Sequence, residues 1–295
     1  MPEEKKPRFS VLMANYNKSK YIGSAIESVL RQSFFDWELI IIDDGSNDES
    51  EKIISYYLGV DNRIRFIRHQ DNRGTVISQK DLVDAASADI VGILDSDDVL
   101  HNDAINQVML VFDNRPDVGF VYTKLMLCNE KLEEVSEGSN AEIPEGETVL
   151  RFDRVCAFRT FRRSSYYLTP GYDEEIQYAE DADIVIKLEE VTKLFFINKV
   201  LYYYRISKDS QFQDKDKRKV NSISHTLAKY GAFLRRQNTN LPNLTKKEMS
   251  DEIYRSLPLC LETKRYGLLF RLFYYAFIIY PINFSSWKYL LKKFL

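Results

Sequence analysis

Between Phe9 and Tyr122, short apolar runs alternate with segments whose apolar residues recur at helical spacing. The runs are Phe9–Met13, Trp37–Ile42, Ile64–Ile67, Ile90–Leu94 and Val118–Tyr122. Tyr21, Ile22, Ala25, Ile26, Val29 and Leu30 share one helix face, as do Ile105, Val108, Met109 and Phe112. A polar helix is expected from about Asn47, and another from Val76 to Ala86. Strands that read as continuous apolar runs are buried on both faces, and helices between them make the sheet mostly parallel. In such sheets ligands sit beyond the carboxyl ends of the strands. Tyr16, Asp43, Asp44, Asp95 and Asp97 all fall there, on one rim.

The rest of the chain is organised differently. Residues 128–147 are polar and read as a long loop or hairpin. Ile184, Val185, Leu188 and Val191 predict a helix starting just after Glu180-Asp181, and Lys199–Tyr204 a further strand. The mixed charges of Lys208–Lys219 read as a solvated connector. Beyond about residue 220 the pattern is helical. The expected division is therefore an α/β domain over 1–212 and a helical region over 213–295.

Composition removes several function classes. In 295 residues, 41 Lys and Arg against 44 Asp and Glu leave a net charge of −3, which argues against nucleic acid as a partner. Cys128, Cys156 and Cys260 are isolated, which fits a reducing cytosol rather than a disulfide framework. His69, His101 and His225 lack zinc-ligand spacing. The charged N-terminus, Glu3-Glu4-Lys5-Lys6, argues against export. No apolar run reaches the ~20 residues that span a bilayer.

Asp95-Ser96-Asp97-Asp98 is the most informative cluster. Two carboxylates in a short turn can share a hard divalent cation such as Mg or Mn, and that cation can neutralise a diphosphate. Asp98 alone suits the N-cap of a following helix. A carboxylate of Asp43-Asp44-Gly45-Ser46 can accept hydrogen bonds from a base or ribose, although Asp-Gly also makes turns. Tyr16 can stack on a nucleobase. Glu180-Asp181 can supply a general base, or simply charge at a helix start.

The order Tyr16-Asn17, Asp43-Asp44-Gly45-Ser46, Asn72-Arg73-Gly74, Asp95-Ser96-Asp97-Asp98, Glu180-Asp181 resembles family 2 glycosyltransferases of the GT-A fold. The resemblance extends over about residues 8–207, with Gly171–Glu174 before the Glu-Asp pair and Leu201–Arg205 after it. It implies a Rossmann-like sheet with flanking helices, followed by a C-terminal helical extension. It also implies transfer of a sugar, with inversion, from a nucleotide-sugar, often a UDP-sugar, to a hydroxyl. Ala14, Tyr16, Asp43, Asp44, Lys80 and Asp95 would then form the donor-binding set. Asp97, with Asp95, would hold Mg or Mn, and Asp181 would be the catalytic base. Surface polysaccharide assembly, with a glycan or lipid-linked acceptor, follows as the expected role.

Three departures stand out. Ser78-Gln79-Lys80 replaces a frequent Ala-Arg-Asn, so Gln79 stands for the usual arginine and Lys80 supplies the positive charge. Ser207 lies where many relatives place a metal-associated histidine, and Ala14 replaces a frequent proline. Gln79 and Ser207 also fit a degenerate module that binds a nucleotide-sugar without turning it over. Leu94–Val99 loosely resembles the phosphatase motif of haloacid-dehalogenase-type enzymes. That motif follows its domain's first strand, whereas here the run follows the fourth. Finally, residues 264–295 carry Lys264, Arg265, Arg271, Lys288, Lys292 and Lys293 with no Asp or Glu. A basic, aromatic helical tail of this kind suits peripheral contact with the inner face of the cell membrane, or packing on the catalytic domain or a second subunit.

Overall fold

A computed structural model describes residues 6–152, 154–207 and 214–281. The chain forms two compact units. The first comprises residues 1–143, 154–172 and 187–207; the second comprises 144–153, 173–186 and 208–295. Segment 173–186, with Asp181, thus belongs with the C-terminal helices.

The first unit is built on β1 (Phe9–Asn15), β2 (Trp37–Asp44), β3 (Ile64–His69) and β4 (Ile90–Ile93). These strands run parallel in the order β3-β2-β1-β4. Helices α1 (Ile22–Leu30), α2 (Ser50–Leu58), α3 (Thr75–Ala85) and α4 (Ala104–Asn114) connect or follow them. Phe9, Val11 and Met13 of β1 and Trp37, Leu39 and Ile41 of β2 share a core with Ile22, Ile26, Ile54, Ile105 and Val108 from α1, α2 and α4. The alternate residues Leu12, Ile40 and Ile42 are equally buried, and α3 packs on β1 and β2. Burial on both faces explains why the strands read as unbroken apolar runs.

The sheet continues through β5 (Val99–Leu100), β6 (Val118–Cys128), β7 (Glu134–Glu137), β8 (Thr160–Arg162) and β9 (Lys193–Arg205). Its full order is β3-β2-β1-β4-β8-β6-β9-β5, with β7 on β6. Two features differ from the sequence reading, while the hairpin expected after Cys128 is present. β8 inserts antiparallel between β4 and β6, and three residues carry too little periodicity to predict a strand. β9 begins at Lys193, six residues before the expected start, because irregular register with β6 interrupts its pattern. The polar stretch after Cys128 forms β7, a hairpin strand on β6.

The second unit contains α7 (Lys215–Arg235), α8 (Lys246–Glu262) and α9 (Tyr266–Ile279). The expected connector is corrected here. Asp214 caps α7 by accepting from the Asp216 and Lys217 amides, so Lys215–Lys219 form its first turns; residues 208–213 lie outside the described residues. A capping box of Thr245 and Glu248 starts α8. Buried Arg236 donates to Thr148 Oγ1 and to the carbonyls of Pro242 and Ile186. Of the expected tail, residues 282–295 are outside the described region.

Gly92 of β4 marks a close approach. A Cβ there would lie 2.6 Å from Phe9 Cζ and 2.8 Å from Phe158 Cζ. Gly92→Ala should therefore cost about 1–3 kcal/mol in urea denaturation.

Candidate active site

The site grows from the carboxyl ends of β1, β2 and β4. Asp43 is fully buried, and its carboxylate accepts from Asn15 Nδ2 at 2.7 Å, Ser46 Oγ at 2.5 Å and Ser46 N at 3.1 Å. Ser46 Oγ also accepts from the Asn17 amide, and Asn17 Oδ1 accepts from the Asn47 amide. The loops after β1 and β2 are therefore pinned together. Asp44 accepts from His69 Nδ1 at 2.7 Å and from the amides of Arg73 and Gly74 at 2.9 and 2.8 Å. It ties the loop before α3 to the end of β2. Both aspartates thus use their carboxylates to shape the rim.

Tyr16 stands exposed just past the end of β1, and Ala14, two residues before it, is half-buried. On α3, Lys80 is exposed. Its neighbour Gln79 is buried, with Oε1 lacking a hydrogen-bond partner among the described residues. Ser207 Oγ is buried in the same condition.

The acidic turn follows β4 and closes with a hydrogen bond from the Asp98 amide to the Asp95 carbonyl. Asp98 is not the cap of α4, which starts at Ala104 after Asp103. It is buried under β9 instead, accepting from Tyr202 Oη at 2.8 Å and the Arg205 amide at 2.7 Å. Burial, followed by the charges of Asp97 and Asp95, raises its pKa well above the usual carboxylate range. Burial likewise pushes the Tyr202 phenol up.

Arg205 holds the turn in place. Its Nε donates to the Asp97 carbonyl at 2.6 Å, Nη1 to the Glu130 carbonyl at 2.5 Å and Nη2 to Ser24 Oγ at 2.9 Å. The guanidinium also lies over the Tyr21 ring, 4.7 Å from its centroid. In the sequence Arg205 only marks the end of the motif that follows the Glu-Asp pair. No local pattern reveals that it reaches back across 108 residues to Asp97.

Asp98 is committed to β9, whereas the Asp95 and Asp97 side chains stay partly exposed, at 42% and 21%, and Asp95 Oδ2 also accepts from Tyr202 Oη at 3.4 Å. Arg159 Nη2 is 3.9 Å from Asp95 Oδ2, and Lys18 Nζ is 2.6 Å from Asp97 Oδ2. Among the described residues, no group of three or more His, Cys, Asp or Glu side chains is arranged to hold a metal on its own. Two carboxylate donors do fit Mg or Mn that also takes oxygens from a diphosphate and water, since Mg is usually bound in that way.

Asp181 lies in the second unit, on the first turn of α6 (Glu180–Glu189), so this helix begins at Glu180. It is half-buried, and its Oδ1 accepts from the Ala182 amide at 2.8 Å. The segment before it is anchored to the C-terminal helices. The Gln177 amide donates to Ser224 Oγ, Asn221 Nδ2 to the Tyr178 carbonyl, and Arg271 to Glu175.

The model of the family described as "Glycosyl transferase family 2" matches residues 10–167, and the chain belongs to that family. Chondroitin synthase of Escherichia coli is 34% identical over 196 residues, covering 66% of this chain. The chain spans only 28% of that synthase's length. Among solved structures, S. aureus TarS 1-349 in complex with UDP-GlcNAc superposes with a TM-score of 0.67 at 17% identity, covering 86% of this chain and 73% of that one. Mannosyltransferase PcManGT from Pyrobaculum calidifontis, in complex with GDP-Man and Mn2+, has a TM-score of 0.59 at 13% identity, covering 98% and 80%. These likenesses bear out the α/β GT-A-like fold with C-terminal helices.

Arg205→Lys should destabilise the protein by about 2–4 kcal/mol in urea denaturation. One ammonium cannot reproduce the planar fork that meets two carbonyls and a hydroxyl.

Proposed function

We propose that the chain is a metal-dependent, inverting glycosyltransferase that moves a sugar from a UDP-sugar to a hydroxyl of a glycan or lipid-linked acceptor in polysaccharide synthesis. The observation that carries this reading is the acidic turn. Asp98 and Arg205 fix its backbone, and the partly exposed Asp95 and Asp97 carboxylates would receive a cation. When bound, that cation neutralises the charge of the departing diphosphate. Tyr16 would stack on the base, and the rim shaped by Asp43 and Asp44 would receive the nucleoside. Asp181 would accept the proton of the attacking hydroxyl. A single base suits direct displacement, because the leaving group needs charge neutralisation more than a proton. The UDP preference rests on the UDP-GlcNAc complex of TarS, and the role in polysaccharide synthesis on the chondroitin synthase relative.

The retained Asp97 and Asp181 favour turnover over binding alone. UDP with Mn should raise the melting temperature of the wild type and leave Asp97→Ala unmoved. GDP with Mn is the control for the alternative donor class. Asp181→Asn should keep the UDP–Mn shift yet lose roughly 10²–10⁴-fold in kcat in a transfer assay.

A location at the inner face of the membrane is part of this proposal. Among the described residues no helix is long and apolar enough to cross a bilayer. On α9, Tyr266, Phe270, Tyr274, Phe277 and Ile278 are exposed, Phe270 at 72%. Their spacing of three to four residues places them on one stripe. Lys264 is exposed just before the helix, and the sequence from there to Leu295 contains no acidic residue. Such a stripe suits an anionic lipid surface. The wild type should float with anionic vesicles and less with neutral ones, and a Phe270→Asp/Phe277→Asp double variant should stay in the aqueous fraction. Equal flotation of the two proteins would contradict the membrane contact.

A further inference from the structure

Lys18 was not singled out by any sequence motif, yet it occupies the most telling position in the site. Its ammonium lies 2.6 Å from Asp97 Oδ2, and both side chains are only about one-fifth exposed. Among the described residues this is the one hydrogen bond to the Asp97 carboxylate. The loop around Lys18 is built to hold it there. Asn17 adopts a left-handed backbone with φ 52°. The Asn17 amide donates to Ser46 Oγ, and the Ser19 amide donates to Asp48 Oδ2 at 2.8 Å. The Lys18 carbonyl accepts from the Tyr21 and Ile22 amides at the start of α1. The backbone is thus fixed on both sides of a cation aimed at the carboxylate expected to ligate the metal.

We propose that Lys18 is a tethered counter-ion that competes with the divalent cation for Asp97 and is taken over by the donor's diphosphate. The inference rests on the metal-dependent reading of the site. Three carboxylates within four residues repel one another, and Lys18 offsets part of that repulsion when no divalent cation is present. A divalent cation reaching Asp97 must displace the ammonium. Alone it leaves Lys18 without its partner, next to a doubly charged ion. Arriving with a nucleoside diphosphate, it brings phosphate oxygens with which the ammonium can pair. Metal and nucleotide therefore bind with positive coupling, and the coupling runs through Lys18. Lysine suits this exchange, because a compact ammonium on a flexible stem can change partners without the planar geometry that an arginine demands.

The test measures Mn binding from the free-ion electron paramagnetic resonance signal, without nucleotide, and then UDP binding by calorimetry at saturating Mn, with GDP as a second probe. Wild type, Lys18→Met and Lys18→Arg are compared. Lys18→Met should bind Mn alone about fivefold more tightly, because the competing ion pair is gone. At saturating Mn it should bind the nucleotide about tenfold more weakly. Lys18→Arg, which keeps the charge but not the compact ammonium, should fall between wild type and Lys18→Met in both measurements. Should Lys18→Met lose the native circular dichroism spectrum, Lys18→Gln takes its place with the same two expectations. Unchanged or weaker Mn binding in the neutral variant would overturn the proposal, as would unchanged nucleotide binding. A wild type that binds Mn and nucleotide normally while the neutral variant does the same removes the role of Lys18 only. A wild type that binds neither removes the metal-dependent reading, and the inference falls with it.

Discussion

The contact between the Arg205 guanidinium and the Asp97 carbonyl, together with that between the Arg205 amide and the Asp98 carboxylate, is what the rest of the site depends on. An aspartate-rich turn at the end of a buried strand is intrinsically unstable. Its carboxylates repel, and one of them, Asp98, is almost fully removed from water. An unpaired buried charge costs several kcal/mol, and removing one partner of a buried pair exposes that cost. The end of β9 answers both difficulties. It brings a hydroxyl and an amide to Asp98, and a guanidinium to the turn's backbone. The turn can then present Asp95 and Asp97 outward without collapsing around its own charges.

A second layer of constraint comes from Asp43 and Asp44. Their carboxylates lock three loops, those following β1, β2 and β3, into one rigid rim. The positions of Tyr16 and Lys18 are consequences of this lock, because both sit on the loop that Ser46 pins through Asn17. Preorganised dipoles and charges cost nothing to arrange at the moment of reaction. A rim stiffened by buried carboxylates is one means of achieving that. In the second unit, the segment preceding Asp181 is likewise anchored, to α7 and α9.

The parallel core was legible because strands buried on both faces leave long apolar runs, and Trp37–Ile42 is the clearest case. The rim was legible because topology places strand ends together, so that Asp43, Asp44, Asp95 and Asp97 can be assigned to one edge from the sequence alone. What stayed hidden was long-range. Nothing local to Tyr202 or Arg205 tells that they serve Asp98, since the pairing joins chain positions more than 100 residues apart. Lys18 was invisible for the same reason, its partner Asp97 lying 79 residues away. The roles of Asp43 and Asp44 were ambiguous because a carboxylate that receives a ligand and one that braces a turn look alike in sequence. The start of α7 is obscured in the sequence for another reason. Dense mixed charge resembles a solvated loop until a cap such as Asp214 is recognised.

In the proposed function, the turn closed by Arg205 and Asp98 presents Asp97 to a metal-bound nucleoside diphosphate. The most direct measurement is a crystal structure of the protein soaked with UDP and Mn, with the metal located by anomalous scattering. One strong manganese peak is expected at the Asp97 carboxylate, beside the diphosphate, with the Asp98–Arg205 contact intact. A bound nucleotide with its diphosphate away from the turn, or manganese at a different set of side chains, would contradict the proposal.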